Sequence, residues 1–405
     1  MSRSKHQRLV PLPSTDLGQL LSRVRALAEN RPAVYRMLDA TGRVLYVGKA
    51  KRLRTRLLTY FRARYPDDKA ARILYAANEI RWDYVPSEFA AYLGELRQIR
   101  KLRPYFNHKG NRTRRSALIK IAGGPAPRVY GGGSIARDDV RCYGPFQSMS
   151  RMAEAVRTLN DLLGLRDCPA STPVVFAGQG DFFEQPRQAG CMRHELGFCT
   201  GPCAGLVSER DYQRRVDTAV AFLEGRSIEP IGRVVAAMQQ AAENAQFEIA
   251  VRWREKFEQL EWLLAATSRA RSAIDLLTFV YRDPGDFGDD RVYLLRRGVV
   301  RASYPYPTTP IEHEAFRAVV ADEARQPDRS GGPLPLDAVD EVLLMMAWFR
   351  AHPEAFPDAA LIDVGADAPT IQARKLVDRL LAEKPEGFEL DLPDKPVVAL
   401  SDRRL

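Results

Sequence analysis

The sequence predicts a multidomain α+β chain, and three observations carry that prediction. At 405 residues there is room for several domains of roughly 100–200 residues each. Hydrophobic residues make up 45% and charged residues 28%, a globular balance that excludes a wholly disordered chain. Short strand-like runs bounded by turn residues give way to amphipathic helical runs, with no solenoid repeat and no low-complexity tract.

Taken in order, residues 1–16 read as a disordered tail. Asp16 caps a helix over 17–29, whose apolar residues are Leu17, Leu20, Leu21, Val24 and Leu27, and Pro32 ends it. The runs 33–37 and 44–47, with Thr41-Gly42 between them, predict a β-hairpin that Gly48 closes. A basic helix from Lys51 to Arg64 follows, then a helix over 67–78, a strand over 80–85, and a helix from Glu88 to Leu102 that stops before Pro104. Residues 116–146 predict a small strand pair, 149–165 a helix, and 166–205 a cysteine-rich stretch of little periodicity. Helices are expected over 207–225 and 229–268, a β-meander over 275–305, a Pro-rich loop over 306–336, and helices over 337–351 and 369–383. The expected domains are 17–115, 116–206, 207–270 and a small C-terminal α/β region, 271–405, of unassigned role.

Charge is the first functional signal. The net charge is +10, yet residues 1–115 hold 26 Lys+Arg against 9 Asp+Glu, which leaves the remainder acidic. A basic block on a mildly acidic chain is the electrostatic footprint of a nucleic-acid surface. Arg-rich genome composition would not leave the other residues acidic. No apolar run approaches the roughly 18–20 residues of a membrane helix, and the basic start lacks the apolar core of a secretory signal. A cytoplasmic protein is expected. Five cysteines do not make a disulfide scaffold in a chain this long.

The hairpin region gathers residue types suited to phosphodiester cleavage. Tyr35 and Tyr46 fall on its two strands and Lys49 just past the second. Arg54, Arg56 and Tyr60 follow on the basic helix, Glu95 on a later helix, and Asn107 beyond its end. One carboxylate with several waters is enough to hold Mg²⁺. Phosphoryl transfer is mainly positioning and charge neutralisation, which Arg and Lys supply. A phenol passes a proton only if a cation or metal lowers its pKa from about 10. These arguments alone would not single out these residues among 15 tyrosines.

The segment PAVYRMLDATGRVLYVGKAKRLRTRLLTYF resembles the GIY-YIG nuclease domain of the UvrC family of bacterial excision-repair endonucleases. The paired triplets stand here as Ala33-Val34-Tyr35 and Tyr46-Val47-Gly48, and PSEFAAYLGELRQIRKLRPYFN resembles that domain's metal-binding helix and closing Asn. The resemblance implies an α/β nuclease domain in which Glu95 binds Mg²⁺ or Mn²⁺. It makes Tyr46 the general base or part of a water-activating network, with Tyr35 and Tyr60 assisting. Arg56 and Lys49 neutralise the scissile phosphate, and Asn107 holds the site together. Lys49, Lys51, Arg52, Arg54 and Arg56 are the expected DNA contacts. Two departures stand out. The family's first glycine is Ala33, tolerable unless φ is positive there. Gly94, beside Glu95, costs about 1 kcal/mol of helix propensity relative to Ala and is expected to loosen the metal site.

Cys168, Cys191, Cys199 and Cys203 have the spacing C-x22-C-x7-C-x3-C. Four thiolates suit zinc or an iron–sulfur cluster. Spacing does not decide, although only the last pair fits a zinc knuckle, which favours a cluster. The stretch CMRHELGFCTGPCAG resembles the UvrC segment whose cysteines hold a [4Fe-4S] cluster, and zinc stays open as the alternative. Cys142 reads as an inert buried thiol and His194 as a loop residue rather than a ligand.

Residues 232–264 have amphipathic helical spacing, broken into a hairpin near 244–247. Pattern alone favours ordinary packing. The string AAENAQFEIAVRWREKFEQL, however, resembles the UVR motif through which UvrC meets UvrB, with Phe247, Trp253 and Phe257 as the expected apolar anchors. The UvrC resemblance fades beyond about residue 270. No second set of metal-binding carboxylates follows, and Asp363 and Asp367 read as turn residues. The chain thus resembles the N-terminal half of UvrC without its RNase H-like domain, an arrangement known in Cho, a shorter UvrC homologue. The expected activity is a metal-dependent single nick in damaged double-stranded DNA, 3′ to the lesion, made with UvrB. The rival reading is a catalytically weak UvrC-like module that binds UvrB and DNA without cutting.

Overall fold

The computed structural model describes residues 16–110, 117–133, 139–179, 189–325 and, with short interruptions, 332–361. The tail, the helix expected over 369–383, Asp363 and Asp367 lie outside the described residues. The chain divides into two compact units: among the described residues, the first joins 16–110 to 269–361, and the second is 117–268.

The first unit begins with α1 (Leu17–Leu27), where Asp16 accepts a hydrogen bond from the Gln19 N–H at 3.0 Å as its N-cap. Strands β1 (Ala33–Leu38) and β2 (Val44–Ala50) form the hairpin. Its turn is built on Asp39, whose carboxylate accepts from the Thr41 and Arg43 N–H groups and the Thr41 hydroxyl, an arrangement that holds Asp39 below its usual range. Gly48 does not end the hairpin, because β2 stays paired through Ala50. The basic helix is shorter than expected: α2 (Leu53–Tyr60) starts only after the extended Arg52. Next come α3 (Lys69–Ala76), β3 (Glu79–Tyr84), α4 (Glu88–Leu102) and α5 (Tyr105–Gly110). β3 pairs with the far edge of β1, giving an antiparallel sheet ordered β2-β1-β3. Leu53, Leu57, Met37, Ile73, Leu74 and Ile80 fill the core beneath it.

The second unit opens with β4 (Ala117–Ala122), β5 (Val129–Gly132) and β6 (Asp139–Phe146), three strands where a pair was expected, ordered β5-β4-β6. Helices α6 (Met149–Leu163), the short α7 (Met192–Glu195), α8 (Glu209–Leu223), α9 (Glu229–Glu243) and α10 (Phe247–Asp275) follow. Ile119, Ile121, Leu159, Leu163, Tyr212 and Phe222 share one core with Leu260 and Leu263. Cys142, on β6 opposite Lys120, is fully buried, and burial pushes its thiol up to about 12, which makes it inert.

The chain re-enters the first unit within α10. Strands β7 (Phe279–Asp283), β8 (Arg291–Arg296) and β9 (Val299–Pro305) form the expected meander. The Pro-rich stretch expected as loop instead contains α11 (Pro310–Arg325). Its start is a capping box: the Thr309 hydroxyl accepts from the Glu312 N–H, and the Glu312 carboxylate accepts from the Thr309 N–H. The Pro content masked this signature, since proline at a first helical position is favourable. After α12 (Val339–Ala351), β10 (Ala359–Leu361) completes a sheet ordered β10-β7-β8-β9. This C-terminal region folds in the same unit as 16–110, and its contacts fall on α4, as developed below. No helix among the described residues is long and apolar enough to cross a membrane.

Candidate active site

The hairpin register brings three tyrosines together. Tyr35 lies opposite Gly48, and Met37 opposite Tyr46, so the two phenols sit diagonally on one face of the β1–β2 pair. Tyr60 joins them from the end of α2. The ring centroids of Tyr35, Tyr46 and Tyr60 are 6.0–6.3 Å apart, and the Tyr35 and Tyr60 hydroxyls are hydrogen-bonded at 2.8 Å. Gly48 makes this possible. A Cβ there would lie 2.5 Å from the Tyr35 hydroxyl and 2.9 Å from the Tyr46 ring. The glycine is needed for space, since its φ is not in the left-handed region. Ala33 lies fully buried in β1 with ordinary strand pairing and no positive φ, so alanine fits where the family has glycine.

Arg56, one turn before Tyr60 on α2, sits 5.6 Å from the Tyr60 ring centroid. Burial would lower its guanidinium pKa, but the Tyr35 and Tyr60 oxygens raise it further, so it stays cationic. The phenols respond in the opposite sense. Burial raises all three; Tyr46 adds to the rise at Tyr35, Tyr35 and Tyr46 add to it at Tyr60, and at Tyr46 the Glu95 carboxylate adds to it while hydrogen bonding to Tyr60 and Tyr35 opposes it. Without added positive charge, Tyr46 is therefore a neutral phenol at pH 7, and the field of Glu95 reaches it.

Glu95 is carried by α4, which Ser87 caps by accepting from the Ala90 N–H at 3.0 Å. Gly94 has a packing reason: a Cβ there would meet the Val34 methyl at 2.9 Å. It brings α4 close against β1. The Lys49 ammonium lies 3.3 Å from the centre of the Tyr92 ring, one turn before Glu95. Asn107 is buried, donating to the Val47 carbonyl and accepting from the Val47 N–H, both at 2.9 Å. It thus extends the pairing of β2 with a side chain and fixes the strand between Tyr46 and Gly48.

Of the expected site residues, Tyr35, Tyr46, Tyr60 and Arg56 therefore share one locus, which the field of Glu95 reaches, while Lys49 lies over Tyr92 of α4 and Asn107 clamps Val47 between Tyr46 and Gly48. Two of the expected DNA contacts are engaged elsewhere. Arg54 donates to the Arg25 carbonyl of α1, and Lys51 pairs with Glu88 at 3.2 Å. Arg52 stands at the exposed start of α2. Sequence reasoning missed Tyr92 and also Lys69, whose ammonium is 5.7 Å from the Tyr46 ring. Tyr92 was reachable in principle from its i−3 spacing to Glu95 on a helix. Lys69 carries no such signal.

In the second unit, Cys199 is buried, Cys168 and Cys203 are half-buried, and Cys191 is exposed. Burial raises the Cys199 thiol, and Cys191, Cys168 and Cys203 add to that rise, so the four sulfurs share one neighbourhood. The Gly201 N–H points at the Cys199 sulfur at 3.5 Å. Yet among the described residues no three His, Cys, Asp or Glu side chains converge closely enough to hold a single ion. The His194 ring is hydrogen-bonded through Nδ1 to the Cys199 carbonyl at 2.9 Å, in keeping with a loop role. The helix pair α9–α10 turns at Ala245, where φ is +57°. Phe247 is 70% exposed, but Trp253 and Phe257 pack partly buried against the unit's own core. Trp253 and Phe257 are thus partly covered within this unit, while Ile249 and Val251 stand exposed beside Phe247.

A three-tyrosine cluster with an arginine, faced by a helix-borne glutamate and closed by an asparagine, defines a GIY-YIG endonuclease domain. Residues 31–108 match the UvrC-like GIY-YIG domain, and residues 117–222 match the middle domain of the UvrC/Cho excinucleases, so the chain carries both UvrC-type domains. The UvrABC system protein C of Alcanivorax borkumensis is 33% identical over 232 residues, covering 57% of this chain and 36% of that protein. That of Aromatoleum aromaticum is 34% identical over 255 residues, covering 62% and 40%. The chain thus spans well under two thirds of these relatives' length. The magnesium-bound GIY-YIG endonuclease domain of UvrC from Thermotoga maritima is 34% identical, covering 22% of this chain and 97% of that one, with a TM-score of 0.20.

Proposed function

We propose that this chain is a metal-dependent DNA endonuclease of nucleotide excision repair, which nicks damaged duplex DNA 3′ to the lesion in concert with UvrB. The observation that carries the reading is the convergence of Tyr35, Tyr46, Tyr60 and Arg56 on one face of the hairpin, within the field of Glu95. A phosphodiester seated there meets the Arg56 guanidinium and the Lys49 ammonium, which offset charge gathering on its oxygens. Glu95 suits a hard divalent cation that keeps most of its waters, and Mg²⁺ or Mn²⁺ bound there would stabilise charge on the phosphate and the leaving oxygen. Tyr46, protonated in the free protein, orients the attacking water and takes its proton while releasing its own phenolic proton to solvent. The Tyr35–Tyr60 hydrogen bond holds the phenols in register. Asn107 keeps β2, and with it Tyr46, in place. Arg52 and the rest of the basic block track the DNA backbone.

The four cysteines of the second unit fit a [4Fe-4S] cluster better than zinc. What supports this reading is the C-x22-C-x7-C-x3-C spacing, in which only the last pair fits a zinc knuckle, and the resemblance of the CMRHELGFCTGPCAG stretch; zinc is the alternative. The cluster's role would be structural, since phosphodiester hydrolysis is not redox chemistry. The exposed Phe247, Ile249 and Val251 of the helix pair are the surface for UvrB, a partner suggested by the name of the UvrABC relatives.

The test is a 5′-labelled duplex with one bulky adduct, incubated with anaerobically purified protein, UvrB, ATP and Mg²⁺ or Mn²⁺. A single metal-dependent nick 3′ to the adduct, lost in Glu95→Ala, is the expected result. UvrB-dependent binding without a nick under any metal would leave only a binding module.

A further inference from the structure

The helix that carries Glu95 is gripped from two sides within its unit. On one side Gly94 lies against β1. On the other, residues of the C-terminal sheet and α12 hold it along most of its length. At its start, the Ser87 hydroxyl that caps it also donates to the buried Asp283 carboxylate at the end of β7. Within the first turn, the Phe89 ring lies 5.0 Å from Tyr281, 4.9 Å from Tyr293 and 5.3 Å from Trp348 between centroids. Two turns further, Arg97 donates to the Val300 carbonyl and to Glu341, both at 2.9 Å. The same Glu341 oxygen, 4% exposed, accepts from the Val300 N–H at 2.9 Å. Phe89 and Arg97 are eight residues apart and so share a helix face. Between that face and Glu95 stands Tyr92, 5.7 Å from Trp348 on one side and beneath the Lys49 ammonium on the other.

We propose that the β7–β10 sheet with α12 is a positioning layer for the nuclease site. It fixes the roll of α4, and thereby Glu95, and through Trp348 and Tyr92 it fixes the Lys49 ammonium. Trp348, Phe89 and Glu341 are positioning residues. The consequence for cleavage rests on the nuclease reading above, and the consequence for metal binding on its assignment of Glu95 as the metal ligand. A helix packed on one side only can roll, and a displacement of about 1 Å at reacting groups costs on the order of 100-fold in rate. Loss of a group that orients a metal ligand typically costs about 10–100-fold in metal affinity.

The test uses the full chain as Trp348→Ala, Trp348→Phe, Glu341→Gln and Glu95→Ala. Mn²⁺ affinity is read from the electron paramagnetic resonance signal of the free ion. Single-turnover cleavage and metal-free DNA affinity are measured beside it. Trp348→Ala is expected to weaken Mn²⁺ binding about ten-fold and to slow cleavage at least as much, with DNA affinity unchanged. Trp348→Phe, which keeps a ring against Tyr92 and Phe89, should recover most of both. Glu341→Gln should act in the same direction, and it carries the test if Trp348→Ala fails to fold. Folded variants at both positions that bind Mn²⁺ as the wild type does would overturn the proposal, whether or not the wild type cuts. If Mn²⁺ affinity depends on Glu95 and Trp348 while no DNA is cut, the nuclease reading falls and the positioning layer stands.

Discussion

Gly48→Ala strikes the tyrosine cluster at its tightest point. The added Cβ would stand 2.5 Å from the Cζ and hydroxyl of Tyr35 and 2.9 Å from the Tyr46 ring, well inside van der Waals contact. Tyr35 is fully buried and bonded to Tyr60, so it cannot swing into solvent, and Tyr46 is flanked by both rings. Overpacking of this kind costs about 1–3 kcal/mol of stability. Relief requires the phenols to move by some tenths of an ångström up to about 1 Å, which by the usual sensitivity of positioned groups costs up to about 100-fold in rate. Urea unfolding and single-turnover nicking of an adduct-bearing duplex measure the two effects. A Gly48→Ala protein that nicks at the wild-type rate would refute the claim that this glycine sets the geometry of the phenols.

Asn107→Ala removes both partners of the buried Val47 backbone groups and should cost about 2–4 kcal/mol, read by urea unfolding; a cost within error of zero would mean that the clamp is redundant. Burial raises the Asp283 carboxyl to about 7, so between about pH 4 and pH 7 the folded chain keeps a proton that the unfolded chain releases. Stability therefore falls as pH rises through that window, by up to about 4 kcal/mol. Asp283→Asn should flatten that part of the profile in urea unfolding at pH 5 and pH 8, and parallel profiles would contradict it. Iron and sulfide analysis of anaerobically purified protein should find about four of each per chain if the cysteines hold a [4Fe-4S] cluster, with both lost in Cys199→Ser. Stoichiometric zinc would instead favour the alternative ion.

Much of the nuclease domain was legible in the sequence because its signals are local. The cap at Asp16, the Thr41-Gly42 turn and the stop before Pro104 each act within a few residues, and the helix, hairpin and helix end appear where those signals put them. The site residues were legible through the motif resemblance, not through physics, which offers no reason to choose Tyr35 over another strand tyrosine. The helix pair and its turn followed from periodicity, but not which of its apolar residues are covered. Trp253 and Phe257 have the same spacing as the exposed residues, and only the position of the core decides between them.

By itself, the sequence determined the basic block, the types and order of most elements, and the set of groups able to handle a phosphodiester. Tertiary structure alone decided three things. It showed that Gly48 and Gly94 are needed for space, because the crowding rings and methyl come from other parts of the chain. It drew Lys69 to the site from a position whose neighbours give no hint of it, and set Tyr92 beneath the Lys49 ammonium. It also joined residues 279–351 to the helix bearing Glu95, through contacts that span about 200 residues, such as Ser87 with Asp283. Local propensity cannot report such pairings, since burial and long-range contact form only when the chain closes on itself.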